Sequence, residues 1–262
     1  MNRGFGVSAL VNPDIIASLA NAAEAAGYQT FWVNDVPDGN GFERLARAQR
    51  VTSRIRLGVG VLPVDRWSAE TIAGEIARLD LDPDRLLVGI GAGGLHKGSL
   101  DATATVSSDL ILRVRAKVLI GALGPKMCRL AGSGAHGVIL NWLTPAAAEE
   151  LALQTKQGAA AVGRPMPEIV VYVRTSADPA AQSRLEREAS SYEGYPSYAR
   201  HFERMGVRAI ETTVSGSSAE IDSRYSAFET STDEVVARAI AASETLDDYM
   251  TVLRAASPAT GA

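Results

Sequence analysis

Residues 55–91 read IRLGVGVLPVDRWSAETIAGEIARLDLDPDRLLVGIG, and this stretch decides the fold. An apolar run at 55–61 predicts a buried strand, and Ser68 then predicts the cap of a helix. A second apolar run at 86–91 predicts another buried strand. Two buried strands joined by a helix at this spacing indicate parallel pairing through a right-handed crossover.

The same unit of strand and helix recurs on both sides of this stretch. Apolar or β-branched runs predict further strands at residues 4–10, 30–33, 117–122, 137–141 and 169–174. Cap residues and helical spacing predict helices at residues 13–26, 42–52, 125–131 and 145–162. The alternation breaks between residues 94 and 116, where a short helix is expected to begin near Ser107.

The C-terminal third completes the count. Helical stretches are predicted near residues 178–191, 195–205 and 207–224. A last helix is predicted from Thr232 to about Ser243, followed by a closing strand at 249–253. Because no G-x-G-x-x-G turn follows the first strand, eight strands fit a parallel (β/α)8 TIM barrel better than an open doubly wound sheet. We expect one α/β domain over residues 1–262, with a shortened segment after the fourth strand and a truncated C-terminal helix.

The composition excludes several classes of protein. The chain has 262 residues, 46% hydrophobic and 21% charged, which is typical of a folded globular protein. A formal net charge of −4 leaves no surplus of cations for a nucleic-acid backbone. The apolar runs are far shorter than the roughly 20 residues that span a bilayer, and no signal-peptide core begins the chain, so we expect a cytoplasmic protein. One cysteine and three scattered histidines predict no metal site.

In a barrel of this kind the active site lies at the carboxyl ends of the strands. GALGPKM at residues 121–127 places small residues at a strand end, followed by Pro125 at the first turn of a helix. Small residues let a ligand approach the backbone, the amides of the first helical turn attract an anion, and Lys126 adds a cation. The segment predicts a phosphate site, although a tight turn between strand and helix would explain the same residues.

Other strand ends are also candidates. GIGAGG at residues 89–94 and GVGV at 58–61 permit close approach of a flat ring or a phosphate, or mark ordinary packing and a bulge. Asp35 follows the second strand, where it could orient a cofactor or catalyse, or only cap a turn. His96 could exchange a proton near neutral pH, or lie in solvent.

Together these segments resemble the bacterial luciferase-like superfamily of flavin- and F420-dependent oxidoreductases, especially its branch of methylenetetrahydromethanopterin reductases. The matching stretches keep their order and spacing over most of the chain. They are AAEAAGYQTFWVND (22–35), RAQRVTSRIRLGVGV (47–61), AGEIARLDLDPDRLLVGIGAGG (73–94), VLIGALGPKMCRLAGSGAHGVIL (118–140), EGYPSYARHFERMG (193–206) and STDEVVARAIA (231–241).

The resemblance implies a barrel that binds coenzyme F420 or FMN, with the ring across the strand ends. It implies a non-prolyl cis peptide bond between Gly60 and Val61 behind the ring, and a carboxylate near the ring at Asp35. We therefore predict Asp35 and His96 as catalytic residues and expect no metal ligand. The predicted cofactor contacts are Ser8, Asn34, Gly60, Val61, Gly91, Ala92, Gly93, Gly121, Ala122, Leu123, Gly124, Pro125 and Lys126.

The chain departs from the family pattern at several points. Val36 stands where many relatives carry a histidine, and His136 stands where the family has an aspartate. The segment 94–117 is shorter than the insertion that covers the pocket in relatives, which predicts a more open pocket. A missing final helix would leave one edge of the barrel uncovered, so we expect a homodimer.

Three functions stay open. We expect an oxidoreductase that uses F420 to move a hydride to or from a small organic substrate. The reductase-like segments favour F420, as does a ratio of 22 arginines to 4 lysines, typical of GC-rich, for example actinobacterial, genomes. An FMN-dependent luciferase-like monooxygenase is the alternative. The residue at 36 and the shortened cover also allow a catalytically degenerate barrel that binds a cofactor or serves as a non-catalytic subunit.

Overall fold

A computed structural model describes residues 2–95 and 97–258. Its strands are parallel and alternate with helices along the chain. The strands are Asn2–Ser8 (β1), Thr30–Asn34 (β2), Arg56–Pro63 (β3), Leu86–Gly91 (β4), Lys117–Ala122 (β5), Gly137–Asn141 (β6), Glu168–Ser176 (β7), Val214–Ser215 (β8) and Glu234–Ala239 (β9).

Eight of these strands close into a barrel. Each strand from β1 to β6 pairs with the next strand along the chain. Strand β9 pairs with both β7 and β1 and so closes the barrel. The two-residue strand β8 extends the end of β7 alone. The predicted (β/α)8 TIM barrel is confirmed.

The described residues form ten α-helices around the strands of the barrel. Many begin where the sequence supplies a cap. For example, Ser68 Oγ accepts a hydrogen bond from the amide of Thr71 at 3.1 Å, as predicted. The helices are Pro13–Ala25 (α1), Gly41–Gln49 (α2), Ala69–Arg78 (α3), Ser99–Arg113 (α4), Pro125–Gly134 (α5), Pro145–Ala161 (α6), Gln182–Glu193 (α7), Pro196–Met205 (α8), Ser218–Ser226 (α9) and Leu246–Ala255 (α10).

The end of the chain differs from the prediction. The helix predicted at 232–243 is wrong, because residues 234–239 form the closing strand β9 between β1 and β7. The strand predicted at 249–253 is also wrong, because these residues lie in α10 with Tyr249, Val252 and Leu253 on its buried face. The barrel therefore ends in a ten-residue helix, and the expected truncation followed from the misplaced strand.

Two other segments are corrected. The helix expected near Ser107 begins at Ser99 and runs to Arg113, so only residues 92–98 separate β4 from its helix. The stretch 207–224, predicted to be helical, contains a 3₁₀ turn, the short strand β8 and the start of α9. Helix α4 buries Thr103, Ser107 and Leu110.

The lower half of the barrel is closed by one tryptophan and one carboxylate. Trp32 is fully buried and donates from Nε1 to Glu234 Oε1 at 2.7 Å. Glu234 also accepts from Thr30 Oγ1 at 2.8 Å and from Arg56 Nη2 at 2.6 Å. A fully buried carboxylate that accepts from three donors has its hydrogen bonds satisfied. We call this end of the barrel, with Trp32 and Glu234, the floor. The helices of the described residues include none that is long and apolar enough to cross a membrane.

Candidate functional site

The carboxyl ends of the strands form the mouth of the barrel, and one side of that mouth is made of backbone. The Gly60–Val61 peptide bond is cis, as the resemblance implied. The side chain of Val61 reaches across β4 and β5: a Cβ on Gly91 would lie 3.1 Å from Val61 Cγ2, and one on Gly121 would lie 2.7 Å from Val61 Cγ1. We call Gly60, Val61, Gly91 and Gly121 the glycine wall. Only residues without a Cβ leave room for Val61 there.

Asn34 fixes the position of this wall. Its Nδ2 donates to the carbonyl oxygen of Gly60 at 2.9 Å. Its Oδ1 is buried and has no partner among the described residues. Ser8 pairs with Asn34 in the register of β1 and β2, and its hydroxyl accepts from the amide of Leu10 at 3.2 Å. The structure therefore brings Ser8, Asn34 and the glycine wall together at the mouth, and their contact with a cofactor stays a prediction.

The predicted phosphate segment lies at the start of α5. Gly124 caps this helix without a side-chain hydrogen bond, and Pro125 occupies the first turn. The N-terminal amides are thus left to an outside acceptor, and the helix dipole favours an anion there. Lys126 is exposed beside them.

Helix α8 adds a second cation that the sequence did not predict. A Cβ on Gly124 would lie 3.4 Å from Arg204 Nη1. Arg204 Nη2 donates to the carbonyl oxygen of Leu123 at 2.5 Å and lies 2.8 Å from His201 Nδ1. His201 Nε2 in turn lies 2.7 Å from the carbonyl oxygen of Trp142. His201 Nδ1 also lies 2.9 Å from the carbonyl oxygen of Leu123, the same oxygen that Arg204 contacts. Burial lowers the pKa of His201.

The loop after β4 is held by a carboxylate. Gly94 donates its amide to Asp65 Oδ2 at 2.9 Å. Gly93 has a φ of +62°, and a Cβ there would lie 2.2 Å from Asp65 Oδ1, so this position requires glycine. Ala92 is half-buried beside them. The predicted catalytic residue His96 lies outside the described residues.

Asp35 lies next to the mouth with both carboxylate oxygens engaged. Oδ1 accepts from the amide of Gly41 at 3.1 Å, and Oδ2 accepts from Trp67 Nε1 at 3.2 Å. Burial raises the pKa of Asp35 above its ordinary value. These contacts tie the loop after β2 to the loop after β3, and a catalytic role for Asp35 stays a prediction.

The opposite side of the mouth carries charge. Arg174 on β7 and Arg238 on β9 are direct partners in the register of these strands. Arg174 is 4% exposed and donates from Nε to Glu188 Oε1 at 3.0 Å and from Nη1 to Asn141 Oδ1. Its guanidinium carbon lies 4.1 Å from the ring centroid of Trp142. We call Arg174 and Arg238 the arginine wall.

The sequence predicted the positions of these charged residues to different extents. Arg174 is the last residue of the strand predicted at 169–174, which lies within β7. Arg238 falls in the segment 232–243, for which the sequence wrongly predicted a helix. Arg204 and His201 lie on α8, about 80 residues from the loop they contact. Their only signal was that the stretch 193–206 matched the superfamily pattern.

Other nucleophilic and metal-binding chemistry is not supported. Burial raises the pKa of Cys128 to about 12, which keeps its thiol protonated at neutral pH. Within residues 2–95 and 97–258, no cluster of three His, Cys, Asp or Glu side chains is arranged to hold a metal ion. The site therefore consists of a backbone surface, a helix start without a side-chain cap and a cationic wall.

Comparison with known sequences identifies the family. The sequence pattern of the luciferase-like monooxygenase family matches residues 3–98 and 100–253. The chain belongs to this family. The structure contains the cis peptide bond at Gly60–Val61 that the resemblance implied, and Gly91 and Gly121 lie beside it.

One relative is a 5,10-methylenetetrahydromethanopterin reductase from Methanolobus tindarius. It is 26% identical over 206 residues, which make up 64% of this chain and 63% of the reductase. The chain thus matches less than two thirds of the length of that relative. The branch suggested by the sequence is consistent with this similarity.

Solved structures with the same fold use two cofactors. An F420-dependent secondary alcohol dehydrogenase, in complex with an F420-acetone adduct, has a TM-score of 0.75 and 16% identity over 97% of this chain and 98% of its own. The oxygenating constituent of 3,6-diketocamphane monooxygenase from Pseudomonas putida, in complex with FMN, has a TM-score of 0.74 and 12% identity over 98% and 96%. At these identities the similarity establishes the fold alone.

Proposed function

We propose that this chain is an oxidoreductase that binds coenzyme F420 and moves a hydride to or from a small organic substrate. The observation that carries the proposal is the glycine wall, where three strands carry a glycine near their carboxyl ends around the side chain of Val61. A flat ring can pack against such a surface because no side chain other than Val61 rises from it. Val61 is 37% exposed and therefore accessible to a ring.

The residues of the mouth would bind and orient the cofactor. Asn34 holds the Gly60 carbonyl, so the backbone behind the ring is fixed before the ligand arrives. The unpartnered Oδ1 of Asn34 can accept a hydrogen bond from a ring N–H. The bound cofactor would supply the hydride chemistry, which no side chain of the protein provides.

The phosphate of the cofactor would lie at the start of α5. The amides after Gly124 and the exposed Lys126 offer hydrogen bonds and charge. Arg204 lies close enough to contribute a charge-assisted hydrogen bond. His201 would act indirectly, by holding Arg204 in place.

Two observations support F420 over FMN. The relative from Methanolobus tindarius is a reductase and not a monooxygenase. Only residues 92–98 link β4 to α4, which leaves little chain to cover the mouth on that side. A monooxygenase needs a closed, dry pocket to protect its reactive intermediate. FMN stays the second candidate because an FMN-bound structure shares the fold.

Titration of the purified protein with F420 and with FMN tests the proposal. Binding is followed by cofactor fluorescence and by calorimetry, and we expect micromolar or tighter affinity for F420. Arg204→Met should weaken binding by about ten- to a hundredfold, because it removes a charged donor. Arg200→Met on the same helix is exposed, and this control should bind as the parent does.

The titration also separates the other candidates. Tighter binding of FMN would identify the monooxygenase alternative. A folded protein that binds neither cofactor would contradict the proposal and favour a catalytically degenerate barrel.

We also propose that the protein is a cytoplasmic homodimer, on the resemblance to the superfamily alone, because α10 removes the uncovered barrel edge from which the sequence predicted a dimer. Light scattering after size exclusion measures the oligomeric state directly. A monomer at micromolar concentration would contradict this part of the proposal.

A further inference from the structure

The arginine wall is not used by the cofactor contacts described above. In an eight-stranded barrel, β7 lies four strands from β3 and therefore on the opposite side of the mouth. Side chains alternate along strands, so Arg174 and Arg238 point inward on the same face as Tyr172 and Val236, which line the lumen. The two guanidinium groups thus face the glycine wall across the mouth.

The charge of this wall is not balanced. Glu188 is the only carboxylate in the described part of the chain within 4 Å of either guanidinium: 3.0 Å from Arg174 and 3.9 Å from Arg238. Glu244 acts on Arg238 from farther away, and it is itself paired with Arg184. Two cations and one anion leave a formal charge of +1 in a site that is largely shielded from water.

The arginine wall and the neighbouring Tyr172 also have unpaired polar atoms. The hydroxyl of Tyr172 and the Nε of Arg238 are buried and have no hydrogen-bond partner among the described residues. Tyr172 is 3% exposed, whereas the Arg238 side chain is 12% exposed and can be reached from the mouth. The charge of Arg238 acts on the Tyr172 hydroxyl, so the two groups lie near each other. Two unpaired buried donors near each other point to an acceptor that arrives with a ligand.

Arg174 and Arg238 have different freedom to bind this ligand. Arg174 is fixed by Glu188 and Asn141 and lies between the rings of Trp142 and Tyr192. Arg238 has one hydrogen bond of its own, from Nη1 to the carbonyl oxygen of Ala239 at 2.5 Å. Arg238 is therefore the residue available to an incoming acceptor, and Arg174 provides fixed charge beside it.

We propose that the arginine wall binds a carboxylate of the substrate, so that the substrate of this barrel is a monocarboxylate. A carboxylate matches the formal charge of +1 and accepts from planar guanidinium donors and from a hydroxyl. It would hold the substrate between the arginine wall and a ring packed on the glycine wall. This inference rests on the proposed function for the position of that ring.

Benzoate and benzamide test the proposal, because they share size and shape and differ in charge. Binding to the protein is measured by ligand-observed NMR titration. We expect benzoate to bind at least tenfold more tightly than benzamide. Arg238→Met should remove this preference, and Tyr172→Phe should weaken benzoate by roughly three- to tenfold.

Matched variants keep the test specific. Arg115→Met removes the same charge from an exposed pair with Asp84, so it should bind benzoate as the parent does. Arg238→Lys keeps the charge without the planar donors and should retain part of the preference, which serves if Arg238→Met does not fold. Equal binding of benzoate and benzamide, or benzoate binding that does not depend on Arg238, would overturn the proposal.

The same preparations are titrated with F420 and FMN. If a cofactor binds and benzoate shows no preference, the carboxylate site is overturned and the proposed function stands. If benzoate binds through Arg238 and neither cofactor binds, the proposed function fails and the carboxylate site stands. Benzoate should also bind the cofactor-loaded protein. Its displacement on loading would assign the wall to an acidic group of the cofactor and overturn the substrate assignment.

Discussion

Replacing Gly58 by alanine is a sharp test of how the floor of the barrel is packed. An added Cβ would lie 2.1, 2.3 and 2.5 Å from three ring atoms of Trp32. Real Cβ atoms essentially never approach other atoms this closely, so either the backbone of β3 or the tryptophan must move. Gly58 is not among the residues with positive φ, so the cost is steric and not conformational.

Neither movement is cheap. Trp32 is fully buried and its Nε1 is bonded to Glu234, so displacement would leave a buried donor and a buried acceptor without their partner. Overpacking of a core costs about 1–3 kcal/mol, and a lost buried hydrogen bond adds about 1 kcal/mol. We therefore expect Gly58→Ala to lower the free energy of unfolding by about 2–4 kcal/mol.

Urea unfolding, followed by tryptophan fluorescence, measures this loss. Gly74→Ala is the matched control: it lies in α3, nothing lies within 4 Å of an added Cβ, and we expect about 0.5–1 kcal/mol of stabilisation. Trp32→Phe in the Gly58→Ala background should recover part of the lost stability. A Gly58→Ala protein as stable as the parent, with unchanged near-ultraviolet dichroism, would refute the placement of Trp32 over Gly58.

Three further substitutions probe other contacts. Tyr172→Phe removes a buried hydroxyl without a partner and should leave the protein as stable or up to about 1 kcal/mol more stable in thermal unfolding, and a clear loss would reveal a partner. Burial lowers the pKa of His201, so the parent should lose stability as the pH falls from about 6.5 toward that pKa. His201→Gln should flatten part of this slope in melting curves between pH 8 and 5, and an unchanged slope would count against a buried neutral imidazole. Gly132→Ala would place a Cβ 1.9 Å from the carbonyl oxygen of Thr155 and should cost about 1–3 kcal/mol by urea unfolding, whereas a neutral effect would contradict the close packing of α5 on α6.

The first seven strands could be predicted from sequence because each is a short apolar run bounded by turn residues. The last strand could not. EVVARA at 234–239 mixes small and charged residues, because Glu234 points into the floor of the barrel and Arg238 points into its mouth. A strand with charges on its lumen face does not show the alternation typical of a half-buried strand, and helical spacing fits it equally well.

The candidate site likewise contains residues that the sequence predicted and a contact that it did not predict. The glycines at 60, 91 and 121 were predicted, since glycine at a strand end has a direct physical reading. That Val61 would cover two of them depends on the bulge between Val59 and Leu62, which shifts the register of β3 against β4. Local sequence does not specify that a side chain on β3 contacts residues on β4 and β5.

The two ends of this barrel satisfy their polar groups differently, and that contrast locates function without reference to any relative. At the lower end, the buried carboxylate of Glu234 accepts three hydrogen bonds. At the mouth, buried atoms of Asn34, Trp142, Tyr172 and Arg238 have no partner in the residues the structure describes. Four of the six unpaired buried side-chain atoms in the described residues thus lie toward the mouth, and a bound ligand can offset their cost in stability. The mouth is therefore the end of the barrel at which to search for cofactor and substrate.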